Sequence, residues 1–89
     1  LIVEDDALNA FMIEQCLGQV GHEVLGPVGT ASEAKSLIKQ RRPELVLIDI
    51  NLGPSMSGID LARTIRRRWN IPGLFLTGQI EVARAHNDC

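Results

Sequence analysis

Aromatic residues are scarce: one tryptophan, two phenylalanines and no tyrosine make up 3% of the chain. No row of rings is therefore available to stack nucleic-acid bases. An excess of positive charge is missing too. Nine Lys and Arg stand against eleven Asp and Glu, a formal charge of −2 with a pI near 5.6, so nothing draws the chain toward nucleic acid or anionic membrane. Direct nucleic-acid binding by this domain is not expected. Cysteine is limited to Cys16 and Cys89, without a CxxC pair or the Cys/His spacing of a zinc site, which favours a reducing cytoplasm over a disulfide framework. No apolar run approaches the roughly 20 residues that cross a bilayer, and no basic, apolar, small-residue leader opens the chain. A membrane role is not expected.

What is present is ordinary for a folded domain. The 89 residues are 45% apolar and 22% charged, enough for one hydrophobic core and too few for a second domain. The chain opens without Met inside the apolar run Leu1-Ile2-Val3 and stops at Asn87-Asp88-Cys89 with no helix-ending signal. Both ends are expected to be cut.

The pattern along the chain alternates. Residues 1–3 are apolar with two β-branched members and are followed at once by the acids Glu4, Asp5 and Asp6, as when a buried strand emerges at its carboxyl end. Leu8, Met12, Ile13, Cys16, Leu17 and Val20 then recur at helical spacing, with Asp6 placed to cap the start and Gly21 to stop the helix. Residues 22–28 predict a second strand, at a sheet edge because Pro27 has no N–H to donate. Thr30-x-x-Glu33 is a capping box for a second helix, with Ala34, Leu37 and Ile38 on its buried face and Arg41-Arg42-Pro43 at its end. Leu45-Val46-Leu47-Ile48 reads as a central parallel strand carrying Asp49 at its carboxyl edge. Ile59, Ala62 and Ile65 mark a third helix running toward Arg66-Arg67-Arg68, cations suited to the negative end of its dipole. Gly73-Leu74-Phe75-Leu76 predicts another buried strand, ending at Thr77-Gly78, and residues 80–85 predict the start of a fourth helix. Such closely alternating strands and helices predict an α/β fold, a doubly wound parallel sheet with helices on both faces.

In open parallel sheets ligands bind beyond the carboxyl ends of the strands, where helix N-termini and loops converge. That rule singles out Glu4-Asp5-Asp6, Asp49 and Thr77-Gly78. If the first and third strands are neighbours the acids converge, and two carboxylates 4 Å apart repel by about 4 kcal/mol at an effective dielectric near 20. A hard divalent cation would offset this: Mg²⁺ accepts a few carboxylate and carbonyl oxygens and completes its octahedron with water or phosphate oxygens. The plainer alternative is that Asp5 or Asp6 only caps the first helix and Glu4 is solvated.

Taken together, Leu1-Ile2-Val3-Glu4-Asp5-Asp6, then Leu45-Val46-Leu47-Ile48-Asp49-Ile50-Asn51-Leu52 with Pro54, Met56 and Gly58, then Phe75-Leu76-Thr77-Gly78, resemble the receiver-domain family of two-component response regulators. The match spans the chain in order. The resemblance implies a flavodoxin-like (βα)₅ fold of which residues 1–89 hold about four units, with strand order 2-1-3-4 and the fifth strand and helix lacking. Asp49 matches the phosphoacceptor, which takes a phosphoryl group from a histidine kinase or a histidine phosphotransfer protein. Glu4, Asp5, Asp49 and the main-chain carbonyl of Asn51 match the site for Mg²⁺, with Mn²⁺ as a substitute. Asp5 matches the direct ligand, Glu4 a contact through water. Thr77 matches the switch hydroxyl, and Gly78 the small residue whose amide donates to the phosphoryl group. A cytoplasmic signalling phosphoprotein is implied, not an enzyme with turnover, and a homodimer is compatible with it.

Two departures stand out. Gly53 precedes Pro54, which lengthens the loop by one residue, and no counterpart of the family's fifth-strand lysine precedes Cys89. Lys35 and Lys39 fall in the second helix and do not replace it. Two further readings differ in kind. A pseudo-receiver would bind a protein partner without being phosphorylated, against which stands the joint presence of Glu4, Asp5, Asp49 and Thr77. A metal-dependent phosphohydrolase would want a second acid two residues past Asp49, where Asn51 stands. His22 and His86 read as solvated loop histidines.

Overall fold

The computed structural model describes residues 1–50, 52 and 57–76. Among these are three strands and three helices in the order β1 (Ile2–Val3), α1 (Ala7–Gln19), α2 (Ala31–Gln40), β2 (Val46–Asp49), α3 (Gly58–Trp69) and β3 (Gly73–Leu76). The sheet is parallel throughout, ordered β1-β2-β3. The register pairs Ile2 with Leu47 and Val3 with Ile48, then Ile48 with Phe75 and Asp49 with Leu76. β2 and β3 pair along their whole length, and β1 pairs with the middle of β2, with the acids at the carboxyl end.

Alternation along the strands divides the core between the two faces. Leu1, Val3, Val46 and Ile48 meet Ala34 and Ile38 of α2 and Leu61 and Ile65 of α3 in one buried cluster, which Leu52 and Ile71 complete. Ile2, from the opposite parity, is 1% exposed, and α1 lies against its strand. The expected helix layers on both faces are present.

The caps follow the sequence. Asp6 accepts hydrogen bonds from the amides of Leu8 and Asn9 at 3.0 and 3.2 Å. Thr30 Oγ1 accepts from the Glu33 amide at 3.1 Å. The hydroxyl also donates to Glu33 Oε1 at 3.0 Å, so the carboxylate of this capping box meets the side chain of Thr30. Ser57 caps α3 by accepting from the Asp60 amide at 3.1 Å. At the other end Asn70 takes a left-handed conformation, φ 56°, while its amide donates to the Arg66 carbonyl.

Three expectations need correction. Residues 22–28 form no strand: Val28 makes an isolated parallel bridge to Val3, on the flank of β1 away from β2. Gly26 at φ 87° turns the chain, Pro27 lacks an N–H, and pairing shrinks to a few bonds such as Glu4 N–H to the Val28 carbonyl at 2.9 Å. The second strand of the 2-1-3-4 order is thus reduced to that bridge. In α1 the expected buried stripe is largely exposed, with Leu8 68% and Val20 71% accessible. Of the expected residues Ile13 and Leu17 are half-buried, and they share the inward face with Ala10, which is buried and which the expected row leaves out; periodicity alone does not fix where that face is centred. β3, expected to be buried, leaves Leu74 and Phe75 about half exposed. It is an edge strand among the described residues, with no strand on the side away from β2. The fourth helix expected over residues 80–85 lies outside them.

Candidate acidic metal and phosphoryl site

The parallel register builds the site. One residue beyond the Val3–Ile48 pair, the chain carries Glu4 on one strand and Asp49 on its neighbour. Asp5 follows, before α1 begins. One ligand oxygen from each of Glu4, Asp5 and Asp49 lies within 4.8 Å of the others. The three acids singled out in the sequence therefore share one pocket at the carboxyl end of the sheet. Asp6 turns away to cap α1, as expected.

Their environments differ. Glu4 is 7% exposed, Asp49 half-buried and Asp5 exposed. Burial pushes the Glu4 carboxyl up to about 7, helped by a hydrogen bond to Asp49 and by the negative charges of Asp49 and Asp5; a hydrogen bond with Asn9 acts in the opposite sense. Glu4 Oε2 is buried without a hydrogen-bond partner. A buried carboxylate oxygen without a donor, on a residue that shares a cluster with two other acids, is the kind of arrangement a cation satisfies. The residues present thus fit a small divalent ion with oxygen ligands. Glu4 lies deeper than Asp5, and an oxygen of each reaches the same centre.

Two further residues contribute to the site; of these only Gly58 stands in the motif named from the sequence, and there without a role. Asn9, in the first turn of α1, reaches Glu4; its position three residues after the cap is the only hint. Gly58 brings α3 against the end of β2, donating its amide to the Ile50 carbonyl at 2.7 Å. Asn51, Thr77 and Gly78, together with the inserted Gly53 and with Met56, lie outside the described residues. His22 is exposed near a turn, in keeping with a solvated role.

Comparison with known proteins identifies relatives in sequence and in fold. Residues 1–87 match the family model of the response regulator receiver domain. The phyllosphere-induced regulator PhyR of Methylorubrum extorquens is 34% identical over 82 residues, which cover 91% of this chain and 31% of that protein. The crystal structure of the anti-anti-sigma factor PhyR from Bartonella quintana superposes with a TM-score of 0.79 at 40% identity, covering 88% of this chain and 32% of that one. The solution structure of the receiver domain of PhyR from Erythrobacter litoralis gives a TM-score of 0.79 at 30% identity over 99% of this chain and 68% of that one. The chain spans about a third of the length of the full-length relatives it matches. By sequence and by its parallel α/β topology, it belongs to the response regulator receiver domain family, a family of signalling domains.

Proposed function

We propose that this domain is a Mg²⁺-dependent phosphoacceptor with Asp49 as the acceptor. The observation that carries the reading is the convergence of Glu4, Asp5 and Asp49 within 4.8 Å, with one Glu4 oxygen buried and unpartnered. A carboxylate oxygen of Asp49 attacks phosphorus in a phosphohistidine of a histidine kinase or phosphotransfer protein. A P–O bond forms, the P–N bond breaks, and the imidazole leaves with a proton, which yields an acyl phosphate on Asp49. Bound among Glu4, Asp5, Asp49 and the Asn51 carbonyl, Mg²⁺ would supply charge neutralisation for the incoming phosphoryl oxygens. Thr77 is assigned the hydroxyl that then hydrogen-bonds the phosphoryl group, and Gly78 an amide donor beside it.

The output is a changed protein-binding surface in the cytoplasm, set by a shift between two pre-existing conformations. A negative net charge disfavours DNA contact by this domain itself. Incubation with acetyl phosphate and Mg²⁺ should add one phosphoryl group by intact mass, labile to hydroxylamine, and none in Asp49→Ala. An unchanged wild-type mass, or labelling that persists in Asp49→Ala, would remove the proposal.

A further inference from the structure

We propose that Gly58 is a positioning residue for the acidic site: having no side chain, it lets the first turn of α3 rest on the backbone of Asp49 and Ile50 and so fixes the acceptor. The inference builds on the reading of Asp49 as phosphoacceptor. A β-carbon at position 58 would stand 1.9 Å from the Asp49 carbonyl oxygen, 2.8 Å from its carbonyl carbon and 2.9 Å from the Ile50 α-carbon. All three neighbours are backbone atoms, which cannot swing aside like the end of a side chain. By contrast Gly18 and Gly21 face open space, with nothing within 4 Å. The demand at Gly58 is for room and not for an unusual backbone angle, because its φ lies outside the left-handed region.

The contact is bonded as well as close. The Gly58 amide donates to the Ile50 carbonyl at 2.7 Å, and the Ile50 amide donates to the Leu76 carbonyl at 3.3 Å. Ile50 is therefore held between the start of α3 and the end of β3, and Asp49 precedes it directly. Any larger residue at position 58 would force one backbone to move by about 1 Å, a displacement large enough to spoil a catalytic geometry. A cation that demands near-ideal octahedral ligands at about 2.1 Å tolerates such a shift poorly.

Gly58→Ala in the full chain tests this, compared with Ile65→Val, which trims a buried side chain of α3 remote from the acids. Both are studied at a temperature where each is folded. Gly58→Ala should weaken Mg²⁺ at least fivefold, read from amide NMR shifts of Glu4 and Asp5 during titration, and slow labelling of Asp49 by acetyl phosphate at least tenfold. Ile65→Val should leave both within twofold. Retention of both properties by Gly58→Ala, or an equal loss in Ile65→Val, overturns the inference. Should Gly58→Ala fail to fold, amide exchange on the wild type decides: saturating Mg²⁺ should slow exchange at Gly58 at least fivefold with no change at Arg66, and equal or absent effects at the two positions would overturn it. A wild type that neither binds Mg²⁺ nor takes up phosphoryl defeats the proposed function. A wild type that does both, beside an unimpaired Gly58→Ala, defeats the positioning role alone.

Discussion

Glu4 is held in a place that favours its neutral form, and this has a measurable sign. Its carboxyl ionises near 7 in the folded chain instead of near 4.5, so folding favours the protonated acid. The associated stability is fully present below about pH 4.5 and is lost as pH rises to and through 7. At 1.36 kcal/mol per unit, the loss is on the order of 3 kcal/mol. Urea unfolding of Mg²⁺-free protein between pH 4.5 and 8 should show this decline relative to Glu4→Gln, whose carboxamide does not titrate; parallel curves for the two proteins would contradict it. Saturating Mg²⁺ should flatten the wild-type decline, because a cation favours the ionised acids. The three acids were legible in the sequence because each follows an apolar run that ends at the same sheet edge. The depth of Glu4 relative to Asp5 was not, since neighbouring acids look alike until a helix start turns one of them outward. Asn9 is not legible for a related reason, and Gly58, although part of the motif that resembles the family, shows no sign of its role in the sequence: both roles depend on what another segment places beside them.

Among the elements, the caps set local stability and the core sets most of the rest. Ser57 both accepts from the Asp60 amide and donates to the Asp60 carboxylate, so Ser57→Ala should cost about 1 kcal/mol by chemical denaturation. Leu61, 0% exposed in the main cluster, should cost about 2–5 kcal/mol when changed to Ala. Leu74→Ala, at 56% exposure, should cost less than about 1 kcal/mol. A reversal of that order would show that β3 is covered in solution. The helices and the strands β1, β2 and β3 were readable because caps, aliphatic runs and the Arg66-Arg67-Arg68 end are local signals. The second strand was not, because whether residues 22–28 pair with β1 depends on how Gly26 and Pro27 turn beside it. The buried face of α1 is legible only in part: Ile13 and Leu17 lie on the expected row, whereas Ala10 does not, and apolar spacing alone does not show that Leu8, Met12 and Val20 face solvent.

At the scale of the whole molecule, ion binding and folding are one equilibrium. A ligand at 100 times its dissociation constant stabilises the folded state by about 2.7 kcal/mol, and in a domain of this size each kcal/mol moves the melting midpoint by roughly 4–8 °C. Mg²⁺ at that excess should therefore raise the midpoint by on the order of 10 °C by differential scanning calorimetry, and Asp5→Asn should lose most of the rise. A Mg²⁺-insensitive midpoint in the wild type would argue against a built cation pocket. Spectroscopically, the molecule has a convenient asymmetry. Its single tryptophan, Trp69, ends the same helix that Gly58 begins, roughly 16 Å along the axis at 1.5 Å per residue, with the Arg68 guanidinium 4.6 Å from its ring centroid. Its emission should register global unfolding while staying nearly blind to occupancy of the acids. A silent fluorescence titration therefore leaves binding undecided, and a reporter dye for that purpose belongs at the opposite end of the helix.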